Sequence, residues 1–160
     1  MLFRSTISLP FLTDLSELTL ESHFFVDDQV PIYRELLDVS FRTVLRNETN
    51  DLLILEDTSI QRDELTFANY FYKVKEKLPL SVGQEALFDL LGDVNVEYFL
   101  KHITTFLLKF LRKDSVLQKR RNIFVDALEL LGYIRQVEEG RYTLNMTIDE
   151  ENLSFLAKKD

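Results

Sequence analysis

The side chains in this sequence best placed to act on a ligand are cations. Lys119-Arg120-Arg121 forms a short basic run, Lys109, Arg112 and Lys113 come shortly before it, and Arg141 follows. Ammonium and guanidinium groups make charge-assisted hydrogen bonds to phosphate oxygens, so these residues offer contact with a nucleic-acid backbone. A basic run this short also serves simply as a solvated face. The neighbouring carboxylates Asp27-Asp28, Glu56-Asp57, Asp63-Glu64 and Asp149-Glu150-Glu151 point in different directions on any helix or strand. They read as turn and cap residues, because an acid–base couple must face one substrate. His23 and His102 have no second ligand at metal-binding spacing, so no metal is expected. Ser5, Ser8 and Ser81 lack the glycines of a nucleophile elbow, and the first half of the chain has no glycine with which to build a phosphate loop. The expectation is a binding protein without catalytic residues or cofactor.

Charge distribution sharpens that expectation. The net charge of −8 opposes indiscriminate nucleic-acid binding. It is unevenly spread, however. Residues 1–64 hold five arginines against thirteen carboxylates, whereas residues 101–121 hold seven cations against Asp114 alone. Any DNA contact should therefore be weak, auxiliary and confined to the second half.

These residues need a scaffold. At 160 residues, 46% hydrophobic and rich in Phe, the chain can bury a core as one domain or as two small lobes. The absence of cysteine excludes disulfides and thiolate zinc sites and fits a reducing compartment. The N-terminal stretch lacks a long apolar region, and the apolar stretch 94–111 is interrupted by Glu97, Lys101, His102 and Lys109. An intracellular protein without a membrane span is expected, cytoplasmic or, in a eukaryote, nuclear.

Leu78-Pro79-Leu80-Ser81 marks a boundary: proline disfavours helix in the residue before it, and Ser81 with Gln84 has capping-box spacing. Two lobes follow, an acidic α/β lobe over residues 1–80 and a second lobe with a tail over residues 81–160. In the first, alternation predicts a strand over Leu2–Leu9, Leu15–Val26 is a second strand or irregular, and Leu52–Leu55 is a short buried strand. Helices are predicted over Ile32–Arg46 and Asp63–Leu78. In the second lobe, helices are predicted over Ser81–Leu91, Val94–Lys113 and Val116–Leu131. The last ends at Gly132 and is followed by a Tyr133–Leu144 hairpin with Gly140 in its turn. The fold class is α+β, mainly helical.

The run Ile123-Phe124-Val125-Asp126-Ala127-Leu128-Glu129-Leu130-Leu131-Gly132-Tyr133-Ile134, with the Gly140-Arg141-Tyr142 hairpin after it, resembles the recognition helix and wing of winged-helix domains. The likeness covers roughly residues 81–145 and departs from the family in the length of the second helix. It implies a C-terminal winged-helix lobe packed on the N-terminal lobe. With its length and acidity, the chain is similar to the tandem winged-helix accessory subunits that bind kleisin or coiled-coil components of SMC-type complexes. That resemblance implies a protein-binding scaffold near DNA, with basic patches touching phosphate. A winged-helix transcriptional regulator using Lys119-Arg120-Arg121 directly, and an acidic adaptor or inhibitor, are the alternatives.

Candidate partner anchors come from apolar residues in excess of what the helices cover. Phe24 and Phe25 stand beside Asp27 and Asp28, and Phe155 and Leu156 lie in the tail beyond the wing. Aromatic groups rimmed by charge suit binding hot spots, although either segment can equally close the chain's own core. The partner expected is a protein of SMC or kleisin type, and a homodimer is compatible with the sequence.

Overall fold

A computed structural model describes residues 11–18 and 25–158. The strand expected over residues 2–9 and half of the segment 15–26, Phe24 included, lie outside the described residues. The fold is mixed α+β, with five α-helices and seven strands in two sheets among the described residues. It divides into two compact units, Met1–Ser40 with Ser59–Gln61, and Phe41–Thr58 with Arg62–Asp160.

In the first unit the Leu12 N–H donates to the Phe25 carbonyl (2.7 Å) beside a parallel bridge between Phe11 and Phe25. Asp14 caps the 3-10 turn Leu15–Glu17. Helix α1 spans Pro31–Leu37 and opens on proline, whose fixed φ and missing N–H suit the first turn. It stops nine residues before the predicted end at Arg46. Residues Ser40–Leu45 instead form strand β1, with alternating half-buried and exposed positions.

In the second unit, β2 (Leu53–Ser59) continues inward-facing positions at Leu52, Ile54, Glu56 and Thr58. Helix α2 (Phe67–Glu76) is shorter than predicted, because Thr66 caps it: its hydroxyl accepts from the Asn69 N–H. Helix α3 (Val82–Leu91) begins with the full Ser81/Gln84 capping box. Helix α4 (Val96–Leu107) is capped by Asn95 and runs into a 3-10 turn, Leu108–Leu111.

The predicted helix over Val116–Leu131 is corrected in its first half. Ser115–Leu117 is strand β3, and helix α5 covers only Ile123–Leu130. Valine and leucine at 116 and 117 suit strand as well as helix, and the pairing of Val116 with Tyr142, 26 residues downstream, decides between them. Helix α5 ends before Gly132, whose φ of 75° is the left-handed conformation expected there. The hairpin of β4 (Ile134–Glu138) and β5 (Arg141–Leu144) follows, and the sheet order is β3-β5-β4.

Two further strands, β6 (Met146–Asp149) and β7 (Ser154–Ala157), complete a second sheet of order β1-β2-β7-β6. In it β7 lies parallel to β2, with Leu53 opposite Ser154 and Ile54 opposite Phe155. One apolar core joins Leu52, Ile54, Phe67 and Tyr70 to Leu87, Phe99, Ile103, Leu107, Leu128, Tyr133 and Phe155. It runs across the expected boundary at residues 78–82. Phe67 sits at its centre, edge-on to Phe99 (4.8 Å) and to Tyr133 (5.5 Å).

Candidate functional site

The basic run lies on the loop joining β3 to α5, not on the helix. Gln118 anchors that loop: its N–H donates to the Gly140 carbonyl (2.6 Å), and its side-chain amide donates to the Arg120 carbonyl (2.9 Å). Asn122 ends the loop by accepting from the Phe124 N–H. Gly140 has φ 73°, and a Cβ there would stand 3.2 Å from the Gln118 carbonyl oxygen. Close approach of the β4–β5 turn thus fixes where Lys119, Arg120 and Arg121 are displayed.

Between the loop, α5 and the β4–β5 hairpin is a cavity of about 370 Å³. Lys119, Arg120 and Arg121 line it, and so do Asp126, Glu129 and Glu139. Cations and carboxylates are therefore matched three to three. Arg121 is already engaged, its Nε 3.2 Å from Asp126. Arg141 is engaged too, donating to Ser115 Oγ (3.2 Å) and lying 3.8 Å from Glu138. Burial, and then Glu129 and Asp126, push the Tyr142 phenol in the same cavity above its usual range. A cavity so balanced has little positive potential to attract phosphate.

Lys109, Arg112 and Lys113 belong to a separate depression of about 400 Å³ beyond α4, where they rim Leu108 and Leu111. The structure thus divides six of the seven candidate cations between two cavities, with the seventh, Arg141, opposite Leu117 in the strand pair.

Of the anchors expected for a protein partner, Phe25 is exposed and packs on Phe11, their ring centres 5.7 Å apart. A cavity of about 680 Å³ in the same unit is lined by Leu12, Val30 and Ile32 with Asp14, Asp27 and Glu35. Phe155 must be corrected: it is fully buried, because β7 pairs on both sides and points it into the core. Leu156, its neighbour of opposite parity, is half-buried.

One polar centre was missed. Glu56 on β2 is fully buried and accepts from the N–H groups of Phe67 (2.8 Å) and Ala68 (2.9 Å) and from the Tyr133 hydroxyl. Burial raises its carboxyl above the usual range, and the three donors oppose that shift. Burial and Glu56 itself raise the Tyr133 phenol. The pair ties β2 to the start of α2 and to the residue after Gly132. Its contacts hold these three elements together. The alternation Leu52, Ile54, Glu56 was the signal that placed this carboxylate inward.

Beside it, Asn69 Nδ2 donates to Thr58 Oγ1 (2.6 Å) and the Glu64 carbonyl (3.0 Å), and Lys73 pairs with Asp63 (2.6 Å). Among the described residues no three His, Asp or Glu side chains gather as a metal site, and no helix is long and apolar enough to cross a membrane. No family model matches this chain, and neither a curated protein nor a solved structure matches it.

Proposed function

We propose that this chain is a non-catalytic protein-binding scaffold, an accessory subunit of a DNA-associated, SMC-type complex, with residues 81–145 as its winged-helix module. The succession α3, α4, β3, α5, β4, β5, with β3 joining the hairpin, supports the module. A winged helix packed on the N-terminal residues is part of the same reading.

The observation that carries the function is the outward face of α5. In a winged-helix regulator this face enters a DNA groove and needs donors and positive charge. Here its exposed positions are Glu129, Ile123 (39% exposed) and Leu130 (40%), with Asp126 half-buried and paired to Arg121. Carboxylates repel phosphate, and exposed aliphatic groups gain by meeting apolar surface. A protein is therefore the favoured occupant. Lys119 and Arg120 remain for auxiliary phosphate contact.

A second reading, an acidic adaptor, is favoured by the apolar cavity carrying Asp14, Asp27 and Glu35. Fluorescence anisotropy of the full chain with random and selected duplexes separates scaffold from regulator. The scaffold reading expects weak binding without sequence preference, falling steeply with salt and reduced by the Lys119/Arg120/Arg121 triple alanine change. Tight, sequence-selective binding would replace it with the regulator.

A further inference from the structure

Residues 78–100 contain no lysine or arginine, while Glu85, Asp89, Asp93 and Glu97 recur every fourth position. Helix α3 turns Gln84, Leu87 and Leu91 into the core. Its exposed face carries Glu85 and Asp89 together with Val82 (87% exposed) and Phe88 (43%). An aliphatic group left that open on a well-packed helix, framed by unopposed carboxylates, is an apolar anchor with an acidic rim.

The same unit carries the converse surface. Leu108 and Leu111 floor the depression of about 400 Å³ after α4, and Lys109, Arg112 and Lys113 rim it. Neither Glu85 and Asp89 nor Arg112 and Lys113 belong to any ion pair formed among the described residues. The two surfaces match in charge and in having apolar centres.

We infer that copies of this chain associate head to tail, the acidic apolar face of α3 on one copy seating against the basic-rimmed Leu108/Leu111 depression on the next. Two different patches meet in such a contact, so it is heterologous and propagates into rings or short chains instead of closing as a two-fold dimer. Opposed charges set its register and speed its encounter, and salt weakens it. The inference does not depend on which partner the α5 face takes.

Sedimentation of the full chain over a range of concentrations tests it. At low salt, average mass should climb past that of a dimer as concentration rises, and return towards the monomer in high salt. The exposed-site variants Glu85→Lys/Asp89→Lys and Arg112→Glu/Lys113→Glu should each lower the association constant by about tenfold or more.

The two charge reversals are complementary to one another, so each variant alone sets like charges against each other, whereas an equimolar mixture regains opposed charges at the contact and should associate beyond the monomer. Melting curves check folding, and Glu85→Gln/Asp89→Asn or Arg112→Gln/Lys113→Gln replaces any variant that melts abnormally. A monomeric wild type at all concentrations, variants that assemble as the wild type does, or a mixture that stays monomeric would each overturn the inference.

Discussion

Replacing Tyr133 by Phe removes one hydroxyl and leaves the ring where it packs against Phe67. No cavity opens, so the measured cost isolates the hydrogen bond to Glu56. Both residues are buried, at 0% and 4% exposure, and the substitution leaves Glu56 one donor short. A hydrogen bond to a charged group contributes about 1.5–3 kcal/mol, and one to a neutral group about 0.5–1.5 kcal/mol.

The cost therefore depends on whether Glu56 is ionised. Its folded-state pKa lies above the ordinary carboxyl value. At pH 4 it is protonated and the lower figure applies. As pH rises through its folded pKa the carboxylate forms, and the higher figure takes over. For a chain of this size each kcal/mol corresponds to about 2–4 °C in Tm. Urea unfolding of wild type and Tyr133→Phe, followed by circular dichroism from pH 4 upward, reads how the cost changes with pH. A variant as stable as the wild type throughout, or a cost that falls as pH rises, would refute the placement of this pair.

Glu56→Gln tests the same centre from the other side. A carboxyl with a raised folded pKa contributes fully below its unfolded pKa, and its contribution declines as pH rises towards the folded value. The stability of wild type relative to Glu56→Gln should thus fall above about pH 4.5, by at most about 1.4 kcal/mol per pH unit. A difference between the two proteins that is flat with pH would contradict this. Leu128→Asp buries an unpaired charge in the core and should cost at least about 3 kcal/mol in urea unfolding, whereas unchanged cooperative melting would show that α5 faces elsewhere. Phe155→Ala should cost about 3–5 kcal/mol and Leu156→Ala clearly less, and equal costs would contradict the parity of β7.

Much of the second unit was legible because its signals are local. Ser81 with Gln84 marks the start of α3, Gly132 marks the end of α5, and the two alternating runs around Gly140 mark the hairpin. The errors fall where a distant partner decides. Ser40–Leu45 carries Phe41, Val44 and Leu45, which fit a helical stripe, but β2 lies alongside and makes it a strand, tied by Arg42 to Asp57 at 2.9 Å. Val116 sits opposite Tyr142 in β5, a pairing that no window around Val116 contains.

The tail followed the same rule. Its apolar residues were visible, but their burial rests on β7 joining β2 across about a hundred residues of sequence. For the candidate site, the basic loop could be read, while its neutralisation by Asp126, Glu129 and Glu139 needed the fold. Asp126 and Glu129 stand within the helix that resembles a recognition helix, but only the fold sets them against the basic loop.

The central claim is that the α5 face binds protein. Ile123→Ser/Leu130→Ser alters two exposed positions of that face, and normal melting of the purified variant checks that the fold is kept. The decisive measurement is affinity purification of the tagged full chain from its native cells, wild type beside this variant, with identification of what co-purifies. The account predicts an SMC-type ATPase or kleisin-like subunit with the wild type and its loss with the variant. Equal recovery from both, or recovery of RNA polymerase with a single promoter fragment, would contradict it.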